Sequence, residues 1–214
     1  MWRRCVTPCG SKREKPAPRK RGKRCVDQKN EQGEREKIMK KILVVVDMQN
    51  DFVDGALGTK EAVGIVEKTA AKIRNFDGKI FVTMDTHQDN YMETAEGKKL
   101  PVPHCIRLTD GWRLNEKVKA ALEGKDYKTL EKGTFGSTDL VNEIREIKGN
   151  DGIEMEFVGL CTDICVVSNA LLVKAYFPEE KITVDAGCCA GVTPQSHKAA
   201  LETMKMCQID VVGE

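Results

Sequence analysis

The chain has 214 residues, of which 40% are hydrophobic and 32% charged, with a formal net charge of +2. That length suffices for one α/β domain with a real core, and no apolar run of about 18 residues suggests a membrane span. The first 41 residues carry fifteen Lys and Arg against five Asp and Glu, so the small total conceals a basic tail on an acidic body, and a nucleic-acid role inferred from overall charge would rest on the tail alone.

In chain order, residues 1–38 hold Pro8, Pro16 and Pro18 among many Lys and Arg, with almost no apolar residues. Such a segment cannot bury enough surface to order itself, and it lacks the apolar centre of a secretory signal. It is expected to be a disordered basic extension, not necessarily native, with Met39 as the natural start; a basic arm for RNA or anionic surfaces and an organelle transit segment are the alternatives. The body, residues 39–214, alternates short apolar runs with amphipathic stretches. Strands are expected at 42–46, 80–84, 127–130, 153–158, 182–184 and 209–212. Helices are expected at 62–76 (buried face Val63, Val66, Ile73 and Phe76), 115–122, 139–147, after Cys165 as far as Val173, and at 194–206, where Pro194 suits a first turn. Continuously apolar strands separated by helices predict a parallel sheet covered on both faces, a three-layer α/β/α fold. The irregular stretch from Thr86 to Trp112 is long for a compact domain, and loops of that length are often functional. Nine cysteines, irregularly spaced, do not make a disulfide scaffold in a chain this long. Cys5, Cys9 and Cys25 have no histidine partners for a zinc finger. Free thiols imply a reducing, cytoplasmic setting.

Ligands of open α/β sheets bind at the carboxyl ends of the strands, and reactive groups collect there. The first strand ends at Asp47, the second at Asp85-Thr86-His87, and the third runs into Glu131-Lys132-Gly133. The fourth delivers Gly159-Leu160-Cys161-Thr162-Asp163-Ile164-Cys165. Thr162 and Asp163 can cap the following helix, which places Cys165 in its first turn, where unpaired N–H groups and the dipole favour a thiolate. A buried helical cysteine is the alternative. Asp47 is the candidate base and Lys132 the candidate cation beside both, against the plainer readings of a helix-capping aspartate and a solvated lysine. The N–H groups of Cys161 and Cys165 could form an oxyanion hole. Asp185, at the end of the fifth strand, reads as a helix cap.

Two of the three histidines fall in the long loop near carboxylates. Asp85, His87, Glu93 and His104 offer oxygen and nitrogen donors that suit one divalent metal ion, zinc first, with manganese or iron(II) as alternatives. Loop residues bonded to one another would account for the same pattern. His197, in a late amphipathic helix, reads as surface or core filler.

Three blocks, Asp47-Met48-Gln49-Asn50-Asp51-Phe52, Glu131-Lys132-Gly133-Thr134-Phe135 and the Gly159 to Cys165 run, together resemble the signatures of the isochorismatase-like cysteine hydrolases. The residues of the histidine-containing loop point to the nicotinamidase/pyrazinamidase branch, and the resemblance covers Lys41 to the C-terminus. It implies a six-stranded parallel Rossmann-like sheet, a catalytic triad of Asp47, Lys132 and Cys165, and a cis peptide before Cys161. It also implies a metal at Asp85, His87, Glu93 and His104 that holds the pyridine nitrogen of nicotinamide, and Phe52 packed against the ring. The segment Leu100-Pro101-Val102-Pro103-His104 departs from the pattern, since the branch commonly carries an aromatic residue just before its Pro-x-His. The expected activity is cysteine-dependent hydrolysis of nicotinamide to nicotinate and ammonia through a thioester, in NAD salvage. Rival readings are a relative acting on another small amide, a carbamoyl group or a vinyl ether, and a non-enzymatic thiol or redox module with a nucleic-acid-binding arm. The expected partner is a small-molecule amide, with neither membrane nor nucleic acid, and homo-oligomerisation stays open.

Overall fold

The computed structural model describes residues 39–214, so the expectations placed on residues 1–38 lie outside the described residues. The elements run β1 (Met39–Val46), α1 (Asn50–Val53), α2 (Lys60–Asn75), β2 (Lys79–Asp85), a 3₁₀ turn (Tyr91–Glu93), α3 (Glu116–Ala121), β3 (Tyr127–Lys132), α4 (Thr138–Lys148), β4 (Gly152–Leu160), a π-type turn (Thr162–Val166), α5 (Val167–Tyr176), β5 (Lys181–Ala190), α6 (Pro194–Met206) and β6 (Asp210–Val212). All six strands are parallel, in the order β3-β2-β1-β4-β5-β6. Successive residues of β1 bury on opposite faces: Ile42, Val44 and Val46 join one apolar cluster, Leu43 and Val45 the other. Period-two alternation thus feeds two cores, each fully buried aliphatic side chain contributing about 1.5–3 kcal/mol. Strand order reverses between β1 and β4, which opens a crevice at their carboxyl ends.

Local chemistry sets the helices. Thr59 caps α2 by accepting the Ala62 N–H, Ser137 caps α4 by accepting that of Leu140, and Thr193 and Ser196 form a reciprocal box at the start of α6. The buried face of α2 is Ala62, Ile65, Val66, Thr69, Ala70 and Ile73, whereas Val63, expected inside, is exposed. Val66 and Ile73 are buried and Phe76 packs against the same cluster, as expected, with the small Ala62 and Ala70 completing the buried face.

The first five strands are longer than their apolar runs, and for β3 and β5 the extension matters to the site. β3 continues to Lys132, which stands beside Asp85 in the parallel register. β5 continues past Asp185 to Ala190, so Asp185 is not a strand-end helix cap. Its carboxylate accepts the Gly187 N–H and pairs with Lys72 of α2. Parallel pairing of Cys189 and Ala190 with Gly159 and Leu160 keeps the strand going through a run of small residues. The one-turn helix α1 is too short to show a period in the sequence. Among the described residues no helix is long and apolar enough to cross a membrane.

Candidate active site

The crevice collects groups from β1, β2, β3 and the turn after β4. Asp47 follows β1 in the left-handed region at φ 45°, uncommon for a residue with a side chain and characteristic of functional positions. Beside it, Gly159 has φ 118°, and a Cβ there would lie 2.1 Å from the Val46 carbonyl oxygen. Glycine therefore lets the end of β4 close on β1, bringing the cysteine turn to Asp47.

Lys132 Nζ lies 2.7 Å from Asp47 Oδ2, 3.4 Å from Cys165 Sγ and 3.4 Å from Asp85 Oδ1. All four residues are buried. The Thr83 hydroxyl donates to Asp47 Oδ1 at 2.7 Å. Burial pushes the Asp47 carboxyl above its ordinary range, against the pull of Lys132, and so makes it a stronger base. Burial opposes the charge on Lys132 too, yet Asp47, Cys165 and Asp85 around it hold the ammonium well above its usual value. The thiol behaves differently from the sequence expectation: burial, followed by the Asp47 carboxylate, pushes Cys165 well above a free thiol. The helix start is not the dominant field here, because the residue lies in a π-type turn within a closed site. Nor do Thr162 and Asp163 cap it. Cys161 is the capping position and makes no side-chain cap bond; Thr162 Oγ1 bonds His197 Nδ1 at 2.8 Å, and Asp163 accepts the Val192 N–H with both oxygens. The peptide between Leu160 and Cys161 is cis.

A second cluster adjoins the first. Donor atoms of Asp85, His87, Glu96 and His104 all lie within 4.8 Å of one another. Asp85 Oδ2 is 3.0 Å from His87 Nε2 and 3.5 Å from His104 Nε2; Glu96 Oε1 is 3.7 and 3.8 Å from the same two nitrogens. Ligands about 2.1 Å from a shared cation sit roughly 3–4 Å apart. His104 Nδ1 sits 2.8 Å from the Val102 carbonyl oxygen, which can only accept, so in the neutral ring Nε2 presents its lone pair. His87 Nε2 is buried without a hydrogen bond. The donor set fits a divalent metal. Burial disfavours the Asp85 carboxylate, but the adjacent His104 and His87 imidazoles and the charge of Lys132 outweigh it and hold the group well below the usual range.

Glu93, expected in this cluster from the sequence, is not part of it; the residue is exposed on the 3₁₀ turn. Buried Tyr91 packs edge-on against both imidazoles at 4.7 and 5.1 Å. The chain then folds back at Gly97, where a Cβ would lie 2.1 Å from the Tyr91 carbonyl oxygen, and this return turns Glu96 inward. The glycine one residue after Glu96 is the usable signal in the sequence. Phe52 is buried with its ring edge-on to His104 at 5.4 Å. A cavity of about 610 Å³ opens on the cluster, with His87, Glu96, Leu100, Gly133, Phe135 and Ile164 in its walls; Phe52 is not one of its lining residues. Gly133 and Ile164 adjoin Lys132 and Cys165 in the chain, but the ammonium and the thiol are not themselves among its lining groups.

The frame around these groups is not visible in the sequence. Gln49 is fully buried, donates to the carbonyls of Asp85 and Trp112 at 2.8 Å each, and accepts the Asp85 N–H at 2.7 Å. Asn169 donates to the carbonyls of Cys165 and Phe135 and accepts the Ser137 N–H. Asp51 Oδ2 accepts the Cys105 N–H at 2.7 Å, next to His104, while Gly111 lies so near that a Cβ would fall 2.2 Å from that oxygen. Gly111→Ala should therefore displace Asp51, release Cys105 and weaken the hold of the cluster on a divalent ion by roughly 10- to 100-fold, the usual cost of losing support for a ligand. Titration of the chelator-treated protein with zinc checks this.

A family model described as Isochorismatase domain matches residues 41–213. The chain belongs to the isochorismatase family. An isochorismatase family protein PncA of Bacillus subtilis is 31% identical over 177 residues, covering 76% of this chain and 93% of the relative. The crystal structure of nicotinamidase/pyrazinamidase PncA from Bacillus subtilis superposes with a TM-score of 0.68 at 29% identity, over 81% of this chain and 100% of that one. The pyrazinamidase of Pyrococcus horikoshii in complex with zinc gives 0.68 at 25% identity, over 82% and 99%. These similarities put this isochorismatase-family chain on the nicotinamidase/pyrazinamidase branch, and its sheet is the fold expected from the three sequence blocks.

Proposed function

We propose that the protein is a cysteine-dependent amidohydrolase that converts nicotinamide to nicotinate and ammonia, a step of NAD salvage. The observation that carries the reading is the Lys132 ammonium, within 3.4 Å of both the Cys165 sulfur and a metal-suited carboxylate and 2.7 Å from a buried base. The activities named for the Bacillus and Pyrococcus neighbours support it.

In this mechanism the resting thiol is protonated, as its burial favours. Asp47 takes its proton as the sulfur attacks the carboxamide carbon, and Lys132 balances charge as it moves from carboxylate to sulfur. Negative charge on the carbonyl oxygen falls to the N–H groups of Cys161 and Cys165. Asp47 returns the proton to the departing ammonia. Water, deprotonated by Asp47, then attacks the thioester and releases the acid and the thiol. Asp85, His87, Glu96 and His104 would hold one divalent ion, zinc before manganese or iron(II), which when bound supplies a Lewis acid for a ring nitrogen. Leu100 and Phe135 supply apolar surface to the cavity for the ring.

Residues 39–214 form the catalytic domain in this reading, and the free thiols among them suit a reducing cytoplasm. Ammonia release across a panel with nicotinamide, pyrazinamide and aliphatic amides tests the substrate, with the full chain and a chain starting at Met39 run side by side and expected to match. Chelator treatment should lower turnover at least about tenfold and zinc should restore it. No ammonia from any amide sinks the amidase; an unchanged rate after verified metal removal takes the metal out of the chemistry.

A further inference from the structure

The His197 side chain reaches away from α6 toward the nucleophile turn. Its Nδ1 lies 2.8 Å from Thr162 Oγ1. Thr162 is fully buried and stands between Cys161 and Cys165, whose amides bracket the reacting carbonyl in the proposed mechanism. The start of α6 is built to deliver this contact. Thr193 and Ser196 set the first turn by their reciprocal bonds. Gly191 lies so close to His197 that a Cβ would meet its backbone nitrogen and Cα at 3.0 Å. One residue on, the Val192 N–H donates to both oxygens of Asp163, at 3.1 and 3.2 Å. The cysteine turn is thus tied at two successive residues to one helix start, and His197 supplies the tie nearer to Cys161. Burial keeps the imidazole below its ordinary value, which leaves it neutral at physiological pH and able to bond a hydroxyl with one nitrogen.

We propose that His197 is a positioning residue for the nucleophile, holding Thr162 so that the Cys165 sulfur stays against Lys132 and the Cys161 and Cys165 amides stay in register. The proposal rests on the reading of Cys165 as nucleophile. A group that acts only through placement should alter the chemical step and leave ligand capture alone.

The test uses the full chain with His197→Leu, His197→Asn, Thr162→Val and the His197→Leu/Thr162→Val double variant. Asparagine can offer a polar atom near the Nδ1 position, and leucine cannot. His197→Leu should lower kcat for nicotinamide about tenfold with KM within about twofold, the size of one lost hydrogen bond. His197→Asn should recover most of that, and the double variant should lose no more than the worse single one. In parallel, alkylation of Cys165 by iodoacetamide is followed by mass spectrometry, a readout that needs no turnover. It should slow about tenfold in His197→Leu and Thr162→Val, because the sulfur leaves the ammonium that stabilises its thiolate. If the wild-type protein releases no ammonia, the amidase reading falls while alkylation still decides the role of His197. Should His197→Leu fail to fold, Thr162→Val and His197→Asn decide it. Wild-type alkylation and turnover in the hydroxyl-deleted or leucine variant, additive losses in the double variant, or equal losses in leucine and asparagine variants overturn the proposal.

Discussion

Cys165→Ala should lower ammonia release from nicotinamide by on the order of a millionfold, the scale on which enzymes lose rate when a covalent nucleophile is removed. Neither Asp47 nor Lys132 can form the thioester, and burial pushes the neighbouring Cys161 thiol up to about 12. The fold should survive. The side chain is small, sits in an apolar cluster with Val166, Ala170 and Ala186, and carries no charge at neutral pH. Circular dichroism and thermal unfolding like the wild type, with turnover at background, is the expected pair of results. Turnover near the wild-type rate with Cys165 absent would leave the thioester mechanism without a nucleophile.

Lys132→Met should be as damaging to activity and far more so to stability. The methionine fills similar volume but leaves Asp47 fully buried and without its cation; breaking a buried pair on one side costs about 3–5 kcal/mol. The sign of the pH dependence follows from the same geometry. Burial raises the Asp47 pKa in the folded state, and Lys132 is the main force lowering it. Without Lys132 the folded protein binds the Asp47 proton more tightly than the unfolded chain. Stability from this group is then retained in acid and falls as pH rises from the ordinary carboxylate range toward the higher folded value. Urea unfolding of Lys132→Met at pH 5 and pH 8 should give the larger free energy at pH 5 by comparison with the wild-type difference. A variant that loses no more stability at pH 8 than at pH 5, relative to wild type, would show that Lys132 does not hold the Asp47 charge.

Much of this is legible in the residues. Short apolar runs recur along the body between amphipathic stretches, and β1, from Ile42 to Val46, reads as a strand buried on both sides. Asp47, Asp85, Lys132 and Cys165 then follow as the groups such strands deliver. What escapes the sequence is set by contacts distant along the chain. Gln49 reads as an ordinary polar residue until β2 is laid beside it. Glu93 and Glu96 are equivalent on paper, and only the return of the chain over Tyr91 at Gly97 chooses between them. His197 looks like filler because Thr162 lies 35 positions away. The thiol is misleading for another reason: a helix start is visible locally, whereas the closed, carboxylate-lined surroundings that outweigh it exist only in the folded crevice.

Asp85 turns one oxygen to the Lys132 ammonium and the other to the two imidazoles. A cation captured by the imidazoles draws on the same negative charge that steadies the ammonium. Occupancy of one half must therefore retune the reactivity of the other, and by thermodynamic reciprocity any change in the sulfur's ionisation alters the affinity for the ion. Through one shared carboxylate, evolution of a tighter ion-binding pocket and of a faster nucleophile are a single problem.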